Sequence, residues 1–251
     1  MSRFSLLILF FIFINYQNVG GRLPPYIKTC SRNHPNMANC ILNSINSLRG
    51  VLSSGQYGPG FENLPKIEPF YIHSINIGNR REFKAHLSNI IVRGGSNFQI
   101  EKLKANMRDL KFDAIVKFPR LEISSKYDLV FNLFGLALAG KGDGSSIIDN
   151  SRGRISIRAR RYIGQDGREY LNFEKFNVKV QVGVIKSASL SSFFNGKSPI
   201  LEEIANQIIR TQPEFLIQEI YPPIENHLAE TFTTIANKFS NLATFDEVFP
   251  L

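Results

Sequence analysis

The sequence predicts an α+β fold, an elongated antiparallel β-sheet wrapped around a long C-terminal α-helix. Three patterns in the 251 residues predict it. Near the N-terminus apolar residues step by three or four. Through the long middle they alternate with polar ones. From Pro199 onward they return to helical spacing.

The first helix is read over Asn36 to Ser53, where Met37, Ile41, Leu42, Ile45, Leu48, Val51 and Leu52 form one oily face. Gly55, Gly58, Pro59 and Gly60 then stop it. Strands follow. Phe83, Ala85 and Leu87 alternate with polar neighbours, as do Leu110, Phe112, Ala114, Val116 and Phe118. A further run holds Leu121, Ile123, Tyr127, Leu129, Phe131 and Leu133. Ile155, Ile157 and Ala159 make a shorter one, and Phe176, Val178, Val180, Val182 and Val184 the clearest. A period of two places these side chains on one face, so the sheet has an oily side and a wet side, which argues for antiparallel strands. The last helical stretch opens at Pro199 and continues through Ile217, Ile220, Ile224, Leu228, Phe232, Ile235 and Phe239. Pro213, Pro222 and Pro223 are expected to kink or break it.

Residues 1–21 read as a signal peptide: Arg3 is the positive start, Phe4 to Ile14 the apolar run, and Val19-Gly20-Gly21 the small residues suited to cleavage. An uncleaved anchor is the alternative. The rest, 22–251, is expected to be one secreted, extracellular domain. Its only cysteines, Cys30 and Cys40, most simply pair with each other in that setting. The short loop they close is worth about 2–3 kcal/mol. A zinc site there lacks ligands beyond His34. The abundance of Phe, 21 residues against no Trp, supplies apolar surface with few polar handles and suits either a core or an oily pocket. Those two readings stay open on pattern alone. The formal charge of +9 suggests nucleic acid for a cytosolic chain. For a secreted one it points to anionic membrane, an acidic partner or solubility, with no nucleic acid.

Catalytic chemistry finds no frame. Gly135 to Gly142 has the G-x-x-x-x-G-K spacing of a phosphate loop. The required Ser or Thr is replaced by Gly142, and the intervening residues are apolar strand formers. A strand ending in a glycine-rich turn, Gly140 to Gly144, is the better reading. There is no G-x-S-x-G, and none of His34, His73, His86 and His227 lies in an H-E-x-x-H frame. No enzyme, metal or cofactor is therefore expected. On a strand, Arg154, Arg158 and Arg160 share one face with Ser156, opposite Ile155, Ile157 and Ala159. This basic patch is either a solvated outer face or a dock for an anionic membrane or acidic receptor.

Taken together, several segments resemble the takeout and haemolymph juvenile hormone-binding protein family. They are Leu23 to Cys30 followed by Cys40; Leu64-Pro-Lys-Ile-Glu-Pro-Phe70; Pro119 to Tyr127 and on to Gly140-Lys-Gly142; Phe194-Asn-Gly196; and Phe245-Asp-Glu-Val-Phe-Pro250. The resemblance covers nearly the whole mature chain. It implies a highly twisted sheet around the C-terminal helix, as in tubular lipid-binding proteins, and an apolar tunnel for an isoprenoid hormone, fatty acid or similar ligand in a haemolymph-like fluid. It makes Tyr127 a candidate polar contact at the ligand head, with an ordinary strand aromatic as the alternative. The lining expected on this basis is Phe112, Tyr127, Phe131, Phe176, Val180, Ile224, Leu228 and Phe232. The hormone-binding branch has a second disulfide that this chain has no cysteines for, which moves the expected cargo away from juvenile hormone itself.

Overall fold

A long β-hairpin forms the spine of the protein. Its two arms are β4 (Lys111–Leu133) and β5 (Leu136–Ile163), paired antiparallel throughout. At about 3.3 Å per residue each is longer than a typical strand several times over. β3 (Gln99–Asn106) flanks one end of β4, and β2 (Phe83–Arg93) with β1 (Phe70–Ile77) flanks the other. β5 pairs in turn with β6 (Glu169–Phe173), β7 (Asn177–Gln181) and β8 (Val184–Ser191). The result is one large twisted antiparallel sheet of eight strands, not a closed barrel. The computed structural model describes residues 23–59, 61, 64–78, 83–133, 136–191 and 213–251. The expected signal peptide, 1–21, and the helical stretch expected over 199–212 lie outside them.

Helix α1 (Met37–Ser54) matches the sequence reading. The Asn36 side chain accepts the Asn39 N–H at its start, and Gly55 ends it in the left-handed conformation that glycine adopts without strain. The Cys30–Cys40 disulfide ties the preceding segment to it. Helix α2 (Pro213–Ser240) lies against β1, β6 and β7. It runs unbroken through Pro222 and Pro223, against the expected break. Each proline deletes one ladder donor. Two residues later the Glu225 side chain bonds β7 and holds the helix in place.

One break in the ladder organises the long hairpin. Before Pro119 the even residues of β4, such as Phe112 and Val116, are buried; beyond it the odd ones are, as at Tyr127. β5 switches in step, from Ser151 to Ile148. Pro119 has no N–H, and Asn150 opposite has a left-handed φ of 57°. This pair drops out of the ladder, which resumes in unchanged register at Arg120–Asp149. The segment from β7 to β8 crosses here, and only glycine fits at position 183: a Cβ would lie 2.0 Å from the Asp149 carbonyl oxygen. β2 changes its buried face by another route, an extra residue bulged near Asn89. The glycine segment 140–144, expected as a turn, lies inside β5 instead.

The proline-bounded segment Leu64 to Phe70 is held by its own polar groups. Glu68 accepts the N–H groups of Gly94 and Ser96 and the Ser96 hydroxyl, at 3.0 to 3.1 Å. Tyr57 donates to the Pro65 carbonyl at 2.8 Å. Burial, followed by the neighbouring Tyr26, raises the pKa of Tyr57.

Candidate functional site

Two apolar groups occupy opposite ends of the hairpin. At one end Phe112 and Leu110 pack with Cys30, Met37, Leu171, Phe245 and Phe249. The Phe112 and Phe249 rings stack with centroids 6.5 Å apart. The short helix α3 (Phe245–Val248) is fixed there by a reciprocal cap between Thr244 and Glu247. Arg32 closes the end. Its backbone N–H reaches the Pro250 carbonyl at 2.7 Å, its Nε the Phe249 carbonyl at 2.9 Å, and its guanidinium pairs with Asp246.

The candidate site lies toward the other end. Tyr127 on β4 is 3% exposed and belongs to a group with Phe70, Ile72, Ile75 and Ile77 of β1 and Phe83, Ala85 and Ile90 of β2. Ile224 and Leu228 of α2 pack against it, and the Phe232 ring lies 6.3 Å from that of Phe70. Across the ladder β5 offers almost no side chains. Gly142 pairs with Tyr127, Gly140 with Leu129, and Gly144 with Ser125. Lys141 and Asp143 between them are exposed, so the glycines occupy the inward positions. A Cβ at Gly144 would meet Leu190 Cδ2 at 3.4 Å and Tyr127 Cδ1 at 3.5 Å, ordinary contact distances. On the β5 side of the Tyr127 ring the strand itself contributes only glycine backbone, with Leu190 of β8 and the Ser125 hydroxyl against Gly144, while the walls around it are aliphatic and aromatic.

Helix α2 is not held by apolar contact alone. Its other flank forms a polar seam with the irregular β6–β7 segment. Glu225, 8% exposed, accepts from Lys179 Nζ at 2.6 Å and from the Val180 N–H at 2.9 Å. The Thr233 hydroxyl accepts the Phe176 N–H at 2.9 Å. Asn237 bonds both backbone groups of Phe173, at 2.7 and 2.9 Å. Glu230 pairs with Lys175 at 2.9 Å, and the hydrogen bond from Lys175 is the main cause of its lowered pKa. These bonds satisfy donors that the sheet edge leaves free and fix the rotation of α2.

The expected lining residues therefore separate. Tyr127, Ile224, Leu228 and Phe232 come together. Phe176 and Val180 lie along the seam, with Phe176 edge-on to Phe173 at 6.1 Å. Phe112 lies at the far end. Phe131 pairs in register with Phe83, and its side chain falls outside the described residues. The sequence reading missed the β1 wall, because its apolar phase slips between Ile72 and Ile75. The signal was there as two short alternations, Phe70 with Ile72 and Ile75 with Ile77. Among the described residues, no cluster of three His, Cys, Asp or Glu side chains is placed to hold a metal, and no helix is long and apolar enough to cross a membrane. Arg154, Arg158 and Arg160 are exposed on the outer face of β5.

Comparison with known proteins follows the same line. The family described as haemolymph juvenile hormone binding protein matches over residues 7–250. Circadian clock-controlled protein daywake of Drosophila melanogaster is 25% identical over 160 residues, 61% of this chain and 60% of that protein. Its namesake from Drosophila yakuba is 24% identical over 156 residues, 60% of this chain and 58% of that protein. The matched stretch thus spans less than two thirds of these relatives. The crystal structure of Epiphyas postvittana Takeout 1 superposes with a TM-score of 0.72 at 13% identity, covering 90% of this chain and 100% of that one, a likeness of fold.

Proposed function

Because the chain belongs to the haemolymph juvenile hormone binding protein family, we propose that it is a secreted, non-enzymatic carrier of a lipophilic small molecule. The reading takes residues 1–21 as a cleaved signal peptide and 22–251 as one carrier domain. One observation carries it. The buried Tyr127 ring stands beside β5 where its inward positions are Gly140, Gly142 and Gly144, under Ile224 and Leu228 of α2. A sheet built only to pack on its helix would fill those inward positions with branched side chains. Glycine there leaves room for an apolar chain to lie along β5.

The mechanism is desolvation. Each methylene moved from water to such a wall contributes about 0.8 kcal/mol. A ligand of about fifteen carbons then reaches micromolar affinity or better after its entropy costs. Tyr127 is proposed as the polar contact that orients the ligand head, with Ile224, Leu228 and Phe232 along the chain. Phe176 and Val180 act at one remove, by seating α2. Tests are direct. Mass spectrometry of an organic extract of natively purified protein should recover one lipid in near-stoichiometric amount, and that lipid should displace a dansyl-labelled undecanoic acid from the emptied protein. Failure of any apolar ligand to displace the dansyl probe, with none recovered, would sink the proposal.

A further inference from the structure

Ligand carriage makes no use of the outer face of the sheet at the end closed by Arg32. The outward positions of β5 there are Arg154, Ser156, Arg158, Arg160 and Tyr162, spanning about 27 Å of strand. Register places Lys179 beside Arg154 and Lys111 beside Arg158. Lys102 and Lys104 of β3 follow on the far side of β4 and are exposed.

Two acidic groups on this face are already engaged, and a third, Glu174, is exposed beside Arg158, where its backbone N–H bonds the Arg158 carbonyl at 2.9 Å. Glu101 is held by Arg152 in a two-point pair at 2.8 and 3.0 Å. The Arg152 hydrogen bond, with help from the Lys117 and Lys102 charges, keeps its carboxyl below the usual range. Asp113 accepts from the Ser156 hydroxyl. Among the described residues, Arg154, Arg158 and Arg160 have no ion-pair partner. The strand then ends in exposed apolar groups. Ile163 is 64% exposed and Tyr162 40%, and Leu242 at 38% follows Asn241, whose side chain accepts from the Tyr162 hydroxyl at 3.3 Å.

Unpaired cations beside exposed Tyr, Ile and Leu match one kind of partner better than others. A sulfated polysaccharide or an acidic peptide uses the cations and leaves Ile163 and Leu242 in water. A bilayer of anionic lipid uses both: arginines bind headgroup phosphates, tyrosine sits at headgroup level, and the aliphatic side chains enter the boundary with the acyl chains. We propose that this end of the sheet docks the protein on an anionic membrane surface, with Arg154, Arg158 and Arg160 over the headgroups, Tyr162 beside them on the outer face, and Ile163, the last residue of the strand and on the opposite alternation, entering the interface at the edge. Docked this way the protein meets the membrane by its closed end, and the Tyr127 site lies farther along the sheet.

Co-sedimentation of the purified full-length mature chain with vesicles tests this. It should bind phosphatidylcholine–phosphatidylserine vesicles, and lose binding in raised salt and on pure phosphatidylcholine. Replacing all three arginines by glutamine should weaken partitioning by about a hundredfold, at about fivefold per cation, while replacing them by lysine should preserve it. Ile163→Asp should weaken it by about tenfold, the loss expected for one aliphatic side chain. Binding of the dansyl probe should be unchanged in every variant, which separates this proposal from the carrier reading. Equal binding to neutral and anionic vesicles would overturn it. So would anionic binding that survives the glutamine variant, or binding to heparin oligosaccharides that is indifferent to Ile163→Asp without any binding to vesicles.

Discussion

The two ends of the long hairpin are built on opposite principles. At the Phe112 end the chain is pinned from several sides: the Phe112 ring stacks against Phe249, the Cys30–Cys40 bond pins α1, and Arg32 joins the N-terminal segment to the C-terminal one. At the Tyr127 end the β5 wall is glycine, and α2 is held from its other flank by the polar seam of Glu225, Thr233 and Asn237. The same two strands thus make a tight closure at one end and a bare-walled apolar site at the other.

Breaking the closed end should cost the most stability. Phe112→Ala should lower unfolding free energy by about 3–4 kcal/mol in urea titration, and the folded fraction should bind the dansyl probe as before. If affinity falls as well, the two ends are not separate. Breaking the seam should cost less and reach the ligand. Asn237→Ala leaves both backbone groups of Phe173 without partners and should destabilise by about 2–3 kcal/mol. It should also loosen α2, seen as faster amide exchange at Ile224 and Leu228 than in the parent protein. Removing the disulfide with Cys30→Ser and Cys40→Ser should cost about 2–3 kcal/mol and leave those two amides protected.

The smallest effect concerns the tip of the turn between β5 and β6, Gly164 to Arg168. Asp166 accepts from the Tyr170 hydroxyl and from Arg168, which lowers its pKa from 3.8 to about 2. A depressed carboxylate contributes stability above its unfolded pKa and loses it as pH falls through the folded value. The tip contacts should therefore persist at pH 4 and vanish only as pH approaches about 2. A carboxyl carbon NMR titration midpoint near 4 would remove this contact from the account.

How much of this was legible in the sequence differs by element. α1 could be read with its stop at Gly55, because a 3.6 period and a glycine cap are local signals. The faces of β4 were legible, but not its continuity. The phase change at Pro119 reads as two strands, and only the pairing with Asn150 shows one. β3 and β6 were not read at all: β3 carries a bulge between Ile100 and Lys102, and β6 is five residues long. The family resemblance, applied to the apolar faces, picked Tyr127, Ile224, Leu228 and Phe232 for the candidate lining, and these come together in the fold. It picked Phe112 on the same basis. Alternation tells which face a residue takes, not how far along the strand it lies, and Phe112 is about 50 Å of strand from Tyr127. The glycines were mistaken for a turn because a strand with three alternate glycines is weak on its own, and here β4 supports all three while β8 joins from Asp143 onward.

Gly144→Leu is the most direct test of the carrier reading. The backbone at Gly144 needs no positive φ, and a Cβ there would have Leu190 Cδ2, Ser125 Oγ and Tyr127 Cδ1 at 3.4 to 3.5 Å, so the rest of a leucine side chain has to displace what lies beside Tyr127, an apolar ligand included. Affinity for the dansyl probe and for the extracted lipid should fall by at least about tenfold. Unchanged affinity in a stably folded Gly144→Leu protein would contradict the claim that the glycine wall of β5 makes room for the ligand.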